Sequence, residues 1–366
     1  MKRYGSGFRT VDEKNLIDSK DRWFRPVFSG VGPDGCVYLA DWYDTRLSHV
    51  RPIDDWHKAS GRIYRIKPEG SAPAYRIGDL TQKKGVELLG LLEHPNRWVR
   101  RRAVLEIGWQ NKRSLLPSLV KKVAANEGQA SLESLWALSL LGGLEEKLAL
   151  EWLEHKDPHL RRWVVRLLGD KRTISDTLTN ALQALAKREK DLEGLIQLAA
   201  SAKRFPSGQG LPILQTLADR SENSQNKRLP LMIWWGLESH CETGRAILRD
   251  WYRKSDTWAQ PVFRETIAQR LMRRYAMAGG EKNLNSCADL LGSAPDQAAS
   301  KLLLTGLQLA FQGTSIPPLP KRLAKQMDDL AKKSGKNPLL LEVLRGNDKA
   351  IKQALAIVSN SSADPV

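Results

Sequence analysis

A repeat at a fixed offset constrains the fold of this chain more than any other feature of its sequence. The segment His94–Gly108 aligns without a gap with His155–Gly169, at an offset of 61 residues. An intermediate copy ends at Gly142, so the three closing glycines are spaced 34 and 27 residues apart. Periods of this length are typical of stacked helical pairs, each of which buries its apolar face on its neighbours. The sequence therefore predicts an α-solenoid.

Each copy of the repeat carries the signals of a capped, amphipathic helix. Asn96 and Asp157 are placed to cap the second helix of a pair, and Pro158 falls near its first turn. Apolar residues follow at spacings of three and four and predict the buried stripe. They are Val99, Ala103, Val104 and Ile107 in one copy, and Leu160, Val164, Leu167 and Leu168 in the other. Two arginine pairs are expected to span the turn and to pair with acidic neighbours: Arg100 with Arg101, and Arg161 with Arg162.

Further helical pairs are predicted along the rest of the chain. They run over 175–205, 208–241, 243–277, 281–312 and 320–358. Tryptophans are spread over these pairs, which indicates packing, whereas a base or sugar platform needs them on one face.

The segment Phe24–Lys67 is the part of the chain that reads as β-structure. Gly32–Gly35 suits a type I turn, with Pro at its second and Gly at its fourth position. Cys36–Trp42 is apolar at nearly every position and predicts a strand covered on both faces. Gly61–Lys67 predicts the next strand, after a long polar loop of the kind that is usually functional or mobile.

The net charge of +17 is the extreme value in the composition, from 58 Lys and Arg against 41 Asp and Glu. Such a surface attracts polyanions, among them nucleic acid, without any specific site. A solubilising surface on a helical protein also explains the charge, and we place it ahead of a dedicated nucleic-acid site. The densest basic cluster comprises Arg97, Arg100, Arg101, Arg102, Lys112 and Arg113.

The sequence lacks the signals of several common classes of protein. Cys36, Cys241 and Cys287 are scattered, which argues against a disulfide framework, a zinc site and covalently attached haem. We expect them to be small buried residues. The histidines show no metal-ligand spacing, and no nucleophile elbow, phosphate loop or zincin motif occurs. No run reaches the length of a membrane span, and no export signal follows Met1.

Two groups of motifs together resemble a known family. The first pairs G-P-D-G-C-V-Y-L-A-D-W-Y-D-T-R-L-S-H with S-G-R-I-Y-R-I, and the second comprises H-P-N-R-W-V-R-R and D-P-H-L-R-R-W-V-V-R-L-L-G-D. They are similar to the large membrane-bound dehydrogenase-like proteins, also called haem-binding C-x-x-C-H proteins, of Planctomycetes and Verrucomicrobia. The resemblance covers most of the chain and is strongest from Trp23 to Asp170.

The resemblance implies a fold, cofactors and a location. The family joins a β-propeller like that of the soluble glucose and sorbosone dehydrogenases to a HEAT-like helical region and then usually to a cytochrome c domain. It implies a periplasmic or exported parent that uses a quinone cofactor with calcium, and haem c, outside this chain. Residues 1–68 supply one blade at most of the four to eight that a propeller needs, and no C-x-x-C-H is present. We therefore expect no cofactor in this chain, which reads as an internal piece of a larger protein.

The long polar loop is where the resemblance favours a site, because loops between strands line one mouth of a propeller. His49 can then accept a proton, and an arginine can hold an anionic group. The structural alternatives are that Asp41 accepts backbone hydrogen bonds and that Arg62 pairs with Asp54 or Asp55. The candidate binding residues are Asp41, Tyr43, Arg46, His49 and Arg62.

These observations predict a mainly α protein. Residues 1–72 resemble the last blade of a β-propeller, 79–358 form a HEAT-like α-solenoid, and 359–366 are a polar tail. We expect a scaffold and protein-interaction module without independent catalysis. Its expected partners are the rest of its propeller, a cytochrome c domain and a protein on the solenoid. The alternative is a basic HEAT-like protein that binds nucleic acid, and the activity of the parent stays open.

Overall fold

A computed structural model describes residues 2–4, 7–15, 17–45, 53, 57–67, 69, 77–125, 128–334, 339–344 and 346–359. These residues form a mainly helical protein in which a small β segment precedes a solenoid of helical pairs, as the sequence predicts. The chain divides into two compact units. The first unit comprises Met1–Lys2 and Thr10–Glu151, and the second comprises Arg3–Arg9 and Trp152–Val366.

The strands precede the helices along the described part of the chain. The strands are β1 (Lys2–Tyr4), β2 (Gly7–Arg9), β3 (Pro26–Val31), β4 (Val37–Asp41) and β5 (Arg62–Ile66). The first five helices are α1 (Gly85–Leu91), α2 (Arg97–Trp109), α3 (Leu116–Ala124), α4 (Gln129–Leu140) and α5 (Glu146–Leu153). They are followed by α6 (Pro158–Asp170), α7 (Asp176–Arg188), α8 (Leu192–Ala202), α9 (Ser207–Ala218), α10 (Leu229–Ser239), α11 (Arg245–Tyr252), α12 (Ser255–Ala259), α13 (Ala268–Ala278), α14 (Gly280–Gly292), α15 (Gln297–Ala310), α16 (Lys321–Ser334), α17 (Leu339–Leu344) and α18 (Asp348–Val358).

The first unit contains an antiparallel sheet of β3, β4 and β5, with β4 in the centre. The β3–β4 hairpin closes where the Gly35 N–H donates to the Gly32 carbonyl (3.1 Å) and the Gly32 N–H donates to the Cys36 carbonyl (2.9 Å). Gly35 has a φ of 82°, a left-handed conformation that glycine adopts without strain. The predicted turn is therefore confirmed.

Asp34 ties this turn to the two neighbouring strands. Its carboxylate accepts hydrogen bonds from the Cys36 N–H (3.0 Å) and the Tyr38 hydroxyl (3.0 Å), and it forms an ion pair with Arg65 on β5 (2.6 Å). Desolvation alone would raise the pKa of Asp34, but these bonds outweigh it and lower the pKa to about 2. The hairpin is therefore held by a carboxylate that stays ionised.

The two faces of the sheet differ in burial. Leu39 and Asp41 lie on one face of β4 and are buried. Ala40 lies on the other face, and its register partners Phe28 and Ile63 are 66% and 77% exposed. The prediction that both faces of this strand are covered is therefore wrong for the face of Ala40.

The helices of the first unit stack as the repeat predicts, with α1 against α2, α3 against α4, and α2 against α4. Asn96 caps α2, since its side-chain oxygen accepts the Trp98 N–H at 2.8 Å. The predicted stripe is buried at Val99, Ala103, Val104 and Ile107. The side chain of Asn96 also donates to the Gly32 and Pro33 carbonyls, at 2.8 and 3.2 Å. One residue therefore starts a helix and holds the β-turn.

The second unit continues with the same packing. Helix α6 contacts α8, α8 contacts α10, α13 contacts α15, and α14 contacts α16. Asp157 caps α6 by accepting the His159 N–H at 2.8 Å. Of the predicted stripe, Leu160, Val164 and Leu168 are buried, but Leu167 is half-buried. Three of the five predicted pairs correspond to two successive α-helices. The range 243–277 also contains α12 and a π-helical stretch at Val262–Ile267, and the range 320–358 contains three helices, α16, α17 and α18.

An arginine clamp joins successive helical pairs in the second unit. Arg161 donates to the carbonyls of His155 (2.7 Å) and Lys156 (3.1 Å) in the turn before α6. The same guanidinium makes two hydrogen bonds to Glu189, of 2.8 and 2.6 Å. Glu189 is buried, so its charge depends on this partner.

The first unit repeats the clamp with different residues. Arg100 donates to the carbonyls of His94 (2.8 Å) and Pro95 (2.9 Å) and to the buried carboxylate of Glu133 (3.1 Å). The prediction that these arginines span the turn and pair with acidic residues is confirmed for Arg100 and for Arg161, and Arg162 forms an ion pair with Glu193. The neighbouring Arg101 is exposed.

All three cysteines are buried and free, as predicted. Burial raises the pKa of the Cys241 and Cys287 thiols to about 12. They are therefore packing residues and not reactive thiolates.

Asn96→Asp tests the coupling of helix and turn. The variant keeps the capping oxygen but replaces the amide donor with a carboxylate that repels the Gly32 and Pro33 carbonyls. We expect the local stability of the β3–β4 hairpin to fall by about 1–2 kcal/mol. The loss is measured as faster hydrogen exchange of the hairpin amides. Asp157→Asn, which changes the equivalent cap of α6, is the control and should leave the hairpin unchanged. Equal exchange of the hairpin in Asn96→Asp and in wild type would contradict the coupling.

Glu189→Gln tests the clamp. Desolvation opposes ionisation of Glu189, but hydrogen bonds from Arg161 and from the Asp191 N–H outweigh it, so the pKa lies below its usual value. The contribution of the clamp to stability is therefore fully present above the ordinary pKa of glutamate. It is lost as the pH falls through the lowered pKa of Glu189. We expect the variant to lose about 3 kcal/mol at neutral pH, measured by chemical denaturation.

The control for this experiment is Glu154→Gln. Glu154 is exposed and pairs with the partly exposed Arg188, so its loss should cost less than about 1 kcal/mol. In acid, the stability of wild type and of Glu189→Gln should converge. Similar losses of stability in the two variants at neutral pH would show that the buried ion pair contributes no more to stability than the exposed one.

Candidate functional site

The structure brings together three of the five residues predicted for the loop site. Asp41 ends β4, Tyr43 lies two residues further on, and Arg62 begins β5 as the register partner of Asp41. Arg46 and His49 lie outside the described residues, so the proton-acceptor and anion-binding roles suggested for them stay predictions.

Aromatic rings surround these residues and form what we call the sheet-end cluster: Trp23, Asp41, Tyr43, His57 and Arg62. The guanidinium carbon of Arg62 lies 3.5 Å from the centre of the Tyr43 ring. The ring of Trp23 lies 5.6 Å from that of Tyr43 and 4.7 Å from that of His57. The cluster therefore presents ring faces beside a positive charge.

Arg62 is engaged within the fold. Its guanidinium donates to the Tyr64 hydroxyl at 3.3 Å and lies 3.8 Å from the Asp21 carboxylate. The hydrogen bond with Tyr64 raises the pKa of Arg62 above its usual value, so the side chain stays charged. The pairing predicted with Asp54 or Asp55 concerns residues outside the described set.

Asp41 behaves as the structural alternative expects. One of its oxygens accepts the backbone N–H groups of Arg25 (2.6 Å) and Tyr43 (3.0 Å). The other oxygen is buried and has no hydrogen-bond partner in the described parts of the chain. Asp41 therefore fixes the end of β4 through one carboxylate oxygen. Its other oxygen can still accept a hydrogen bond.

Sequence reasoning missed Asp44, which is fully buried beneath the cluster. Its carboxylate accepts the His57 N–H at 3.2 Å, and its own N–H donates to the Trp23 carbonyl at 3.0 Å. Between these two carboxylates, Tyr43 has a φ of 49°, a conformation that is strained for a bulky residue. Asp44 lies three residues after the end of β4, and no local signal in the sequence distinguishes it from the other acidic residues of the loop.

The cluster borders an open depression of about 430 Å³. It is lined by Lys20, Asp21, Arg22, Trp23 and Tyr43. These residues offer ring faces and positive charge for a flat or anionic group. The carboxylates of the cluster hold the backbone, so the arrangement is suited to binding rather than to proton transfer.

The six residues of the predicted basic cluster have different surroundings. Arg97, Arg101 and Arg113 are exposed, and Lys112 is half-buried. Arg100 belongs to the clamp with Glu133. Arg102 forms an ion pair with Glu106 (2.7 Å) and stacks on Trp109, with its guanidinium carbon 4.6 Å from the ring centre. The fold therefore uses the charge of two of these arginines internally.

The tryptophans fall into two groups, which the sequence did not distinguish. Trp152 and Trp258 are buried, as packing requires, but Trp98 and Trp109 are 38% and 63% exposed. Trp98 and Trp109 belong to α2, and Trp42 and Trp235 are exposed elsewhere in the described chain. We use the term α2 ridge for Trp98, Arg101, Arg102, Leu105 and Trp109, which share the exposed side of this helix.

The histidines of the repeat have structural roles. The Nδ1 atoms of His94 and His155 accept the backbone N–H groups of Asn96 (3.0 Å) and Asp157 (3.1 Å). Across the described ranges, no three His, Cys, Asp or Glu side chains are grouped in a way that could hold a metal ion. Within the same ranges, none of the helices has the length and apolarity needed to cross a bilayer.

Asp41→Ala and Asp41→Asn separate the acceptor role of Asp41 from its charge. Alanine leaves the Arg25 and Tyr43 N–H groups without a partner, at a cost of about 2 kcal/mol, whereas asparagine keeps an acceptor and should cost under about 1 kcal/mol. Hydrogen exchange of β3 and β4 measures both changes. Equal losses in the two variants would show that the charge, and not the acceptor, fixes this site.

Comparison with known proteins matches the N-terminal part of the chain to a protein family. Residues 2–70 match a family described as Domain of unknown function (DUF7133), which includes the described β-strands. No curated protein matches the chain.

Proposed function

We propose that this chain is a non-catalytic scaffold that fastens a propeller-like β domain to a HEAT-like solenoid in an exported, dehydrogenase-like protein. The observation that carries the proposal is the sheet of β3, β4 and β5. It is tied to the first helical repeat through Asn96, and it exposes the apolar row of Phe28, Ala40 and Ile63.

The exposed row has the chemistry of an interface between sheets. Sheets pack face to face about 10 Å apart through the side chains of their inner faces. Phe28 and Ile63 flank Ala40 across the three strands and stand mostly in solvent. Large apolar side chains grouped in this way are typical of surfaces that bind another element. A neighbouring blade is the element that the sequence resemblance supplies.

The β-turn is held on the first helical repeat by specific hydrogen bonds. Asn96 bonds at once to the start of α2 and to two carbonyls of the β-turn. Asp34 then bonds the turn to β4 and β5. Because every link is a hydrogen bond or an ion pair of defined geometry, the sheet keeps a fixed position on its first helical repeat.

The candidate binding residues fit a supporting role in this chain. Asp41 holds backbone N–H groups, and Arg62 is engaged by Tyr43, Tyr64 and Asp21. The resemblance assigns the quinone, calcium and haem c to other parts of the parent protein. The sheet-end cluster would then form part of the wall of a channel whose reactive groups lie elsewhere.

Nucleic-acid binding by the basic cluster is the second candidate function. The observation in its favour is that exposed tryptophans share α2 with Arg101 and Arg102, because aromatic and cationic side chains together bind single strands. The ion pairs of Arg100 and Arg102 remove charge from the surface, so we place this function after the scaffold.

A dye-linked oxidation assay tests the absence of independent catalysis. The purified chain is mixed with aldoses, an artificial electron acceptor, calcium and pyrroloquinoline quinone, which serves as a representative of the quinone class that the resemblance implies. We expect no turnover above that of the buffer. Turnover that disappears in Asp41→Asn or in Arg62→Ala would overturn the proposal, because it would place catalysis in this chain.

A further inference from the structure

We infer that the α2 ridge is a docking surface for an acidic, amphipathic segment of a partner protein. The inference rests on the proposed scaffold function, for which it names a surface and the chemistry of a partner.

The ridge is a continuous stripe along one side of α2. Trp98, Arg102, Leu105 and Trp109 follow one another at spacings of four, three and four residues, which places them on one helix face. The buried stripe of Val99, Ala103 and Ile107 lies on the other side of the helix. A surface helix normally carries polar residues opposite its buried stripe. Here two tryptophans and a leucine that is 39% exposed occupy that position.

The apolar surface extends from α2 onto α4. A Cβ built on Gly108 would lie 3.1 Å from the Cβ of Leu140, so the glycine lets the two helices approach closely beside the ridge. Leu140 is 54% exposed. The two helices together therefore present a strip of aromatic and aliphatic side chains.

The charges beside the strip specify the partner further. Arg97 and Arg101 are exposed on one flank, and Arg102 is held over Trp109 by its ion pair with Glu106. Tryptophan and arginine are the residues most enriched among those that dominate binding energy at protein interfaces. An acidic partner would complement this flank, whereas a second copy of the chain would bring the same net charge of +17.

The spacing of the rings favours a protein over a nucleic acid. Trp98 and Trp109 are eleven positions apart, which corresponds to about 16 Å along a helix. Leu105 and Leu140 lie on the strip as well, and they offer contacts to aliphatic side chains rather than stacking surfaces. Apolar side chains of a partner helix recur at three, four and seven positions and can fill such a strip.

Selection from a displayed library of random peptides, about 16 residues long so that they can form helices, tests the inference. The purified full chain is the target, and peptides that bind the support without the chain are removed. We expect enriched peptides to be rich in Asp and Glu, with apolar residues at helical spacing.

The binding of the enriched peptides is then measured by fluorescence anisotropy. Trp109→Ala and Arg101→Glu should each weaken it by about tenfold or more. Trp235→Ala and Lys187→Glu are the controls: they change an exposed tryptophan and an exposed lysine in the second unit and should change binding by less than about twofold. Because Arg101 is exposed, Arg101→Glu should fold normally. It therefore still tests the ridge if Trp109→Ala does not fold.

Three results would overturn the inference. The first is that no peptide depends on Trp109 or Arg101, and the second is that the enriched peptides are not acidic. The third is that labelled oligo-dT binds at physiological salt, loses binding in the same variants and displaces the peptides, which would assign the ridge to nucleic acid. The scaffold proposal is tested separately by the dye-linked assay. If that assay shows no turnover, the scaffold proposal holds in each of these three cases; if it shows turnover, the scaffold proposal fails whatever the peptides show.

Discussion

The arginine clamp is the interaction on which the stacking of this protein depends. In each unit, one guanidinium binds two carbonyls of the turn before a helix and a buried glutamate of the following repeat. A planar group with several fixed donors can satisfy these acceptors together, and the single ammonium of lysine cannot match that geometry. Because the glutamates at 133 and 189 are buried, losing the arginine would leave an unpaired charge in the core. The clamp therefore links each of these two helical pairs to the next one.

The two copies of the repeat share the clamp but differ at the cap. Asn96 and Asp157 both accept a backbone N–H at the start of a helix. Only the amide can also donate, and Asn96 uses its donor to hold the β-turn. A difference of one side-chain atom thus turns a helix cap into a joint between a sheet and a solenoid. This joint is the physical basis for proposing a scaffold.

The sequence predicts much of the fold because its signals are local. The offset of the repeat, the caps at Asn96 and Asp157 and the stripe that includes Val99 and Ala103 are each read from a few neighbouring residues. The partners of the clamp arginines were not identified, since Glu133 and Glu189 lie about 30 residues away along the chain. The open face of the sheet at Phe28 was also missed, because an apolar strand does not show what covers it. The α2 ridge could have been found, since Trp98, Leu105 and Trp109 recur at helical spacing.

The most direct test of the account is the solvent accessibility of Phe28 and Ile63. Hydroxyl-radical footprinting would compare this chain with the protein isolated from its source cells, and Trp235 would serve as the exposed reference. If the sheet is the joining blade of a larger β domain, both side chains should be labelled strongly in the chain and protected in the cellular protein, while Trp235 is labelled in both. Equal labelling of Phe28 and Ile63 in the two preparations would contradict the account, because no blade would then cover the open face.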